Sequence, residues 1–215
     1  MVLSHVSPLS PTTDQLVFWG ADYGGFVLQG DWWRLVTAMF VHAGIIHLGL
    51  NMWCLWNLGL LGEPLLGPVG LVAAYLLTGL AGDLLSIAVN PQIVGVGASG
   101  AIFGIAGVLI LLLKSPLLPV PPSELKRLRQ SVIYFAAINL VLGLGTSVFN
   151  SPVKTDNMAH LGGFISGLLI GMPLLPRIGA ARDRFARRQW ITFSAATLVL
   201  LLLAFGVNAY YHAPR

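Results

Sequence analysis

Six predominantly apolar stretches divide the chain, at 43 to 61, 68 to 88, 94 to 113, 131 to 149, 158 to 176 and 190 to 208. Each is close to the roughly 20 residues that a helix needs to cross the hydrocarbon core of a bilayer. The pattern predicts an all-α, polytopic membrane helix bundle with six transmembrane helices. Residues 12 to 42 are too interrupted by Asp14, Asp22, Asp31 and glycines to span. Their aromatics, Phe18, Trp19, Tyr23, Phe26, Trp32 and Trp33, suit a segment lying at headgroup level. An ordinary extramembrane loop is the plainer alternative. The organisation expected is an N-terminal segment and interfacial loop over 1–42, a membrane core over 43–176, a basic loop over 177–189, and a further span with its tail over 190–215.

Composition agrees, with 56% hydrophobic and 9% charged residues and a mean hydropathy of +0.80. Soluble domains carry about a quarter of their residues as charges. The single cysteine, Cys54, lies in an apolar run and needs no role beyond packing. Met1 to Pro11 shows neither the basic start nor the apolar run of a cleavable signal peptide.

Charge sets the orientation. Lys114, Lys126, Arg127 and Arg129 follow the third stretch, and Arg177, Arg182, Arg184, Arg187 and Arg188 follow the fifth, so nine of the twelve basic residues lie in two loops. Two spans separate these loops, which puts both on one face, cytoplasmic by the positive-inside rule. The same clustering argues against nucleic acid as a partner, despite the pI near 9.6. His47 and Asn51 then fall early in the first span, Ser99 early in the third and His160 early in the fifth, all in the outer half of the bilayer. Ser99 is expected roughly 8 Å below the start of its helix.

Polar residues at membrane depth are costly and usually face the interior of a bundle. Gly100, Gly104 and Gly107 form one stripe beside Ser99, and Gly163 and Gly167 form another below His160. Two small-residue faces let helix backbones approach closely, which can bring a hydroxyl within reach of an imidazole. Phe103 shares the serine's face. The flexible Gly97-Ala-Ser99-Gly100 run can turn the serine's own N–H toward a ligand. His47 and Asn51, four apart, offer donors from one helix face. A zinc site is disfavoured, since the five-residue step from His42 to His47 is not the four-residue helical ligand pair and no intramembrane acid accompanies it. The plainer alternative for Ser99 and His160 is helix packing through a hydrogen bond without chemistry.

Together, His42-x4-His47-x3-Asn51, Gly97-Ala-Ser99-Gly100 and Ala159-His160-x2-Gly163-x3-Gly167 resemble the rhomboid intramembrane serine proteases, and Trp33-Arg34 resembles their first-loop motif. The resemblance runs in order from about residue 30 to 176. It implies Ser99 as nucleophile, His160 as general base, and His47, Asn51 and the Ser99 backbone N–H as the oxyanion site, supported by His42, Gly97, Gly100, Gly163 and Gly167. It implies no cofactor and no metal, transmembrane proteins as substrates, and a multi-pass location, best matched by a bacterial inner membrane with the site facing outward. Glu63 matches a structural acid of some members, or is a solvated charge. Asp156, one turn before His160, is read as an outer-loop charge beside Lys154 rather than an orienting acid, so Asp156→Asn is expected to keep most activity.

The family core has six spans, with the serine in the fourth and the histidine in the sixth. Here they fall in the third and fifth, with Met1 to Ser4 as a possible stub of the helix before and 190 to 208 as a C-terminal extra. A noncatalytic rhomboid-like protein that binds membrane helices is the alternative function. A channel or transporter ranks below both, for want of an intramembrane charge relay.

Overall fold

The computed structural model describes residues 7–148, 155–176 and 182–214, with side chains over 7–143, 155–176 and 183–214. The possible stub at Met1 to Ser4, and Lys154 and Arg177, lie outside the described residues. The described chain is a helical bundle with one two-stranded ladder.

The first two expected spans run on as one element, α4 (Ile45–Val89), with Gly67 at φ 73°, ψ 164° inside it. That left-handed glycine ends a first arm, and Pro68, whose fixed φ suits a helix start, opens a second. The arms double back on one another. Tyr75 Oη donates to the carbonyl of Met39 at 3.3 Å, although Met39 precedes the start of α4. A straight helix would hold positions 45 and 75 about 45 Å apart.

The third expected span is shorter than its apolar run. Val94–Gly95 forms strand β2, and α5 (Ser99–Leu112) begins only at the serine. Ser99 therefore opens its helix instead of lying a turn below the start. Next come α6 (Pro122–Val148), α7 (Asn157–Leu174) and α8 (Arg182–His212). Among the described residues three helices, not six, are long and apolar enough to cross a membrane: Ile45–Val89, Asn157–Leu174 and Asp183–His212. The count falls because two spans merge into α4, α5 covers only about 21 Å, and the 131–149 stretch runs to the edge of the described residues.

Helix α5 is buried almost throughout and forms the axis of the bundle. A Cβ on Gly163 would collide with the carbonyl of Gly100, and one on Gly167 with the carbonyl of Gly104. The two glycine faces thus cross backbone against backbone. The second arm of α4 closes the third side, with Gly82 against the Ala159 carbonyl and Thr78 filling the notch at Gly104. At the opposite end from Ser99, Gln189 Nε2 on α8 donates 2.7 Å to the Leu66 carbonyl at the α4 turn. Glu63 is exposed near that turn.

Residues 12–42 are a folded cap. They hold α1 (Thr13–Phe18), β1 (Asp22–Tyr23), α2 (Gly24–Val27) and α3 (Arg34–Thr37). Arg34 organises them, its Nη1 donating to the carbonyls of Val17 and Ala21 at 2.7 and 3.2 Å and its Nε to Asp31 at 3.0 Å. The guanidinium also lies over the Phe26 and Trp33 rings, at 4.9 and 4.5 Å from their centroids. Phe18, Trp19 and Trp33 are exposed. Strand β1 pairs antiparallel with β2, Asp22 opposite Gly95, which ties the cap to the approach to Ser99. Asp22 is 2% exposed. Burial, the nearby Asp156 carboxylate and a partly offsetting bond from the Gly95 backbone leave its pKa raised to about 7.

Two outcomes follow from the packing and from Asp22. Gly167→Ala drives a methyl into the Gly104 carbonyl and should cost about 1–3 kcal/mol or more. Gly206→Ala, which meets nothing within 4 Å, should leave the thermal midpoint in detergent unchanged or slightly raised. Equal losses at both positions would contradict a tight α5–α7 crossing. For Asp22, the folded protein keeps a proton that the unfolded chain releases, from the ordinary carboxylate value of about 4 up to about 7. Stability should therefore fall as pH rises through that window. Thermal midpoints at pH 5 and pH 8 should differ in the native chain, and Asp22→Asn should narrow the gap.

Candidate active site

Ser99 is the first residue of α5, and the helix has no side-chain N-cap. The N–H groups of its first turn are not consumed by helical bonds, and they carry the positive end of the helix dipole. The preceding loop is held by residues 38–42. The Gly97 N–H donates 2.9 Å to the Ala38 carbonyl, and Gly97 has φ +108°, a conformation suited to glycine. The Ala98 N–H donates to His42 Nε2 at 3.5 Å, while His42 Nδ1 lies 3.1 Å from the Phe40 carbonyl. His42 therefore carries its proton on Nδ1. Burial pushes its pKa below the ordinary histidine value, against the pull of the Phe40 carbonyl, which suits a neutral ring.

Ser99 Oγ lies 2.7 Å from His160 Nε2, across 61 residues of sequence. His160 sits in the first turn of α7, and its ring stacks on Phe103 with centroids 4.3 Å apart and planes at 15°. Its Nδ1 is buried and has no hydrogen-bond partner among the described residues. Gly163 and Gly167, below His160, lie against Gly100 and Gly104, below Ser99. The short Ser99–His160 distance is the upper end of that crossing.

His47 packs its ring onto Gly97, where a Cβ would come within 2.6 Å of Cε1. The Ala43 N–H donates to His47 Nδ1 at 3.2 Å, so a neutral ring carries its proton on Nε2. Asn51 Nδ2 donates one bond, 2.9 Å, back to the His47 carbonyl and has a second hydrogen to offer. His47, Asn51, Ser99 and His160 all line one cavity of about 290 Å³. Of the other residues singled out from the sequence, Gly97 and Gly100 also line this cavity, His42 holds the serine loop, and Gly163 and Gly167 lie at the crossing, whereas Glu63 and Arg34 lie away from it.

Other wall residues carry no local signature in the sequence. Asn139 on α6 and Cys54, one turn beyond Asn51, line the same space. Asp156 is not a solvated loop charge. Its Oδ1 accepts from the Met158 and Ala159 N–H groups at 3.1 and 3.0 Å, capping α7, and its Oδ2 accepts from Ser86 Oγ at 2.5 Å. Asp83 is buried at the same wall, and its Oδ2 has no hydrogen-bond partner among the described residues. A helix N-terminal acid is a common cap, but its bond to a serine 70 positions earlier depends on the tertiary fold. Among the described residues, no group of three or more His, Cys, Asp or Glu side chains is placed to hold a metal ion.

A hydroxyl against an imidazole, beside side-chain and helix N-terminal donors, has the parts for nucleophilic acyl transfer. Residues 29–177 match the model of the Rhomboid domain. Over 99% of its length the chain is 35% identical to Rhomboid protease GluP of Bacillus subtilis (strain 168), spanning 38% of that protein. It is 34% identical over 93% of its length to RHOMBOID-like protein 6, mitochondrial, of Arabidopsis thaliana, spanning 67% of it. It is 30% identical over 94% of its length to Rhomboid protease AarA of Providencia stuartii, spanning 77% of it. With a family model covering more than half the chain, and an apolar helical bundle to match, the protein belongs to the rhomboid family of integral membrane proteins.

Proposed function

We propose that the chain is an intramembrane serine endopeptidase that uses Ser99 and His160 as a dyad to cleave transmembrane-helix substrates near the outer face of the bilayer. The observation that carries this reading is the 2.7 Å approach of Ser99 Oγ to His160 Nε2 at a cavity that also receives His47 and Asn51. GluP and AarA, both named as rhomboid proteases, support it from the family side. A noncatalytic helix-binding relative would have no need of this alignment.

His160 Nε2 takes the Ser99 proton as the oxygen attacks a substrate carbonyl carbon. The carbonyl oxygen becomes negatively charged and is met by His47 Nε2–H, the spare Asn51 Nδ2–H and the Ser99 N–H. Collapse breaks the C–N bond, with His160 returning its proton to the leaving amine. Water then hydrolyses the acyl-enzyme with His160 again as base. A peptide bond inside a helix is hydrogen-bonded and shielded, so the substrate must unwind locally, which favours helix-breaking or small residues near the scissile bond.

The catalytic core of this reading is residues 43–176. We propose that the six expected crossings are made by the two arms of α4, by α5 with the extended stretch before it, and by α6, α7 and α8. The arms of α4 are an antiparallel pair, and α5 crosses while enclosed by its neighbours. The basic residues at the start of α6 and of α8 lie at the end of the bundle away from Ser99, which fits a cytoplasmic face opposite the site. A bacterial inner membrane, with the site facing outward, is the location that suits this charge pattern.

Purified full-length protein in detergent should react with a fluorophosphonate probe, and both Ser99→Ala and His160→Ala should abolish labelling. A native protein that folds yet shows no Ser99-dependent labelling would sink the protease reading. His47→Ala and Asn51→Ala should each lower kcat on a transmembrane substrate, by about 10²-fold for a lost oxyanion donor, with KM changed far less. A loss confined to KM would assign these residues to substrate binding instead.

A further inference from the structure

His160 has an unusual problem for a base. In serine hydrolases with a triad, an acid on Nδ1 orients the imidazole. Here Nδ1 is buried without a partner, and no side chain among the described residues bonds the ring from behind. Two constraints remain: the stacked face of Phe103, and the position of the His160 backbone.

That backbone is held through the first turn of α7. His160 lies in the first turn of α7, with its N–H donating 3.2 Å to the Asp156 carbonyl. The Asp156 carboxylate closes the same turn by accepting from Met158 and Ala159. Its second oxygen accepts from Ser86 Oγ, and Ser86, 3% exposed, belongs to the second arm of α4. The turn is also wedged between Gly82 and Gly100, both of which face the Ala159 carbonyl. The glycines permit close approach without choosing a register, because a smooth crossing can slide or rotate. A hydrogen bond from a fixed hydroxyl to a fixed cap selects one register.

We propose that Ser86 and Asp156 are positioning residues for the dyad, Ser86 Oγ anchoring the α7 cap so that His160 Nε2 is held at hydrogen-bond distance from Ser99. The proposal rests on the reading of Ser99 and His160 as nucleophile and base. Neither Ser86 nor Asp156 touches the reacting atoms, and their effect passes through the backbone of the first turn of α7. Small displacements matter here, since misplacing a reacting group by about 1 Å can cost about 10²-fold in rate.

The test separates capping from anchoring. Asp156→Ser keeps a helix cap but is too short to reach Ser86 as well. Asp156→Asn can cap through its Oδ1 and meet Ser86 through its Nδ2, the hydroxyl then accepting. Full-length variants in detergent are compared for Ser99 labelling rate, for kcat and KM on a transmembrane substrate, and for thermal midpoint. Ser86→Ala and Asp156→Ser should each lose about tenfold or more in kcat and labelling rate, with KM within about twofold and the midpoint near that of the native chain. Asp156→Asn should stay within about threefold of native, restoring what Asp156→Ser loses. Ser86→Ala at native rate overturns the proposal, as does an Asp156→Ser variant as active as Asp156→Asn. Rate losses that merely follow the thermal midpoint also overturn it. Should Ser86→Ala not fold, the Asp156→Ser and Asp156→Asn pair decides alone. If the native chain itself is not labelled at Ser99, the protease reading fails and the positioning role with it. If it is labelled and the variants match it, only the positioning role fails.

Discussion

The structure depends on how closely α5 and α7 cross. Lipid tails are as apolar as leucine, so helices in a bilayer are held by close packing and hydrogen bonds more than by exclusion from water. Gly100, Gly104 and Gly107 on one helix, against Gly163 and Gly167 on the other, let carbonyl edges lie where a Cβ would clash. The crossing brings the serine and the histidine together as a geometric consequence, since each residue stands just before its helix's glycine face. A wider crossing would leave two costly polar groups in the membrane without a partner.

The same economy governs the polar groups around the cavity. His42 donates through one nitrogen and accepts through the other, fixing the loop before Ser99. His47 spends Nδ1 on the Ala43 N–H and is left with an Nε2 donor; Asn51 spends one hydrogen on the His47 carbonyl and keeps one. His47 and Asn51 thus each have one bond that sets the side chain's orientation and one donor hydrogen that this bond does not use. The helix N-terminus at Ser99 adds donors that need no side chain at all. The structured cap over residues 12–42 reaches the same loop through Asp22–Tyr23 and Val94–Gly95, so the approach to the serine is braced from the side of that cap as well.

Much of this was legible in the sequence, for physical reasons. Apolar runs reveal spans because backbone polar groups in lipid must be satisfied within helices. His47, Asn51, Ser99 and His160 stood out because polar groups at that depth are expensive, and charge in two loops put them at one level. The glycine stripes were legible because a helix repeats every 3.6 residues. What escaped was what the chain does between and beneath those patterns. Hydropathy does not distinguish a helix from the extended stretch before Ser99, so the apolar run from 94 includes residues that precede α5. It also does not show that two spans meet at Gly67 with almost no loop between them. The Arg34 cage and the Ser86–Asp156 bond were invisible, because each joins residues whose proximity is created by the fold.

That last contact bears on how the proposed Ser99–His160 dyad would work when no acid among the described residues meets its base. A carboxylate on Nδ1 does two jobs in a triad: it orients the ring and it stabilises the charged form. In a bundle these jobs can be divided. Stacking on Phe103 sets the plane of the His160 ring, and anchoring the first turn of α7 sets its position. A carboxylate that caps a helix is already stabilised by backbone N–H groups, so it does not demand the imidazole as a partner. Asp156 is thus better placed to hold the helix than to contact the base. The rigidity that a soluble hydrolase builds at Nδ1 is built here into the backbone, where glycine crossings and a single cap leave the histidine little room to move.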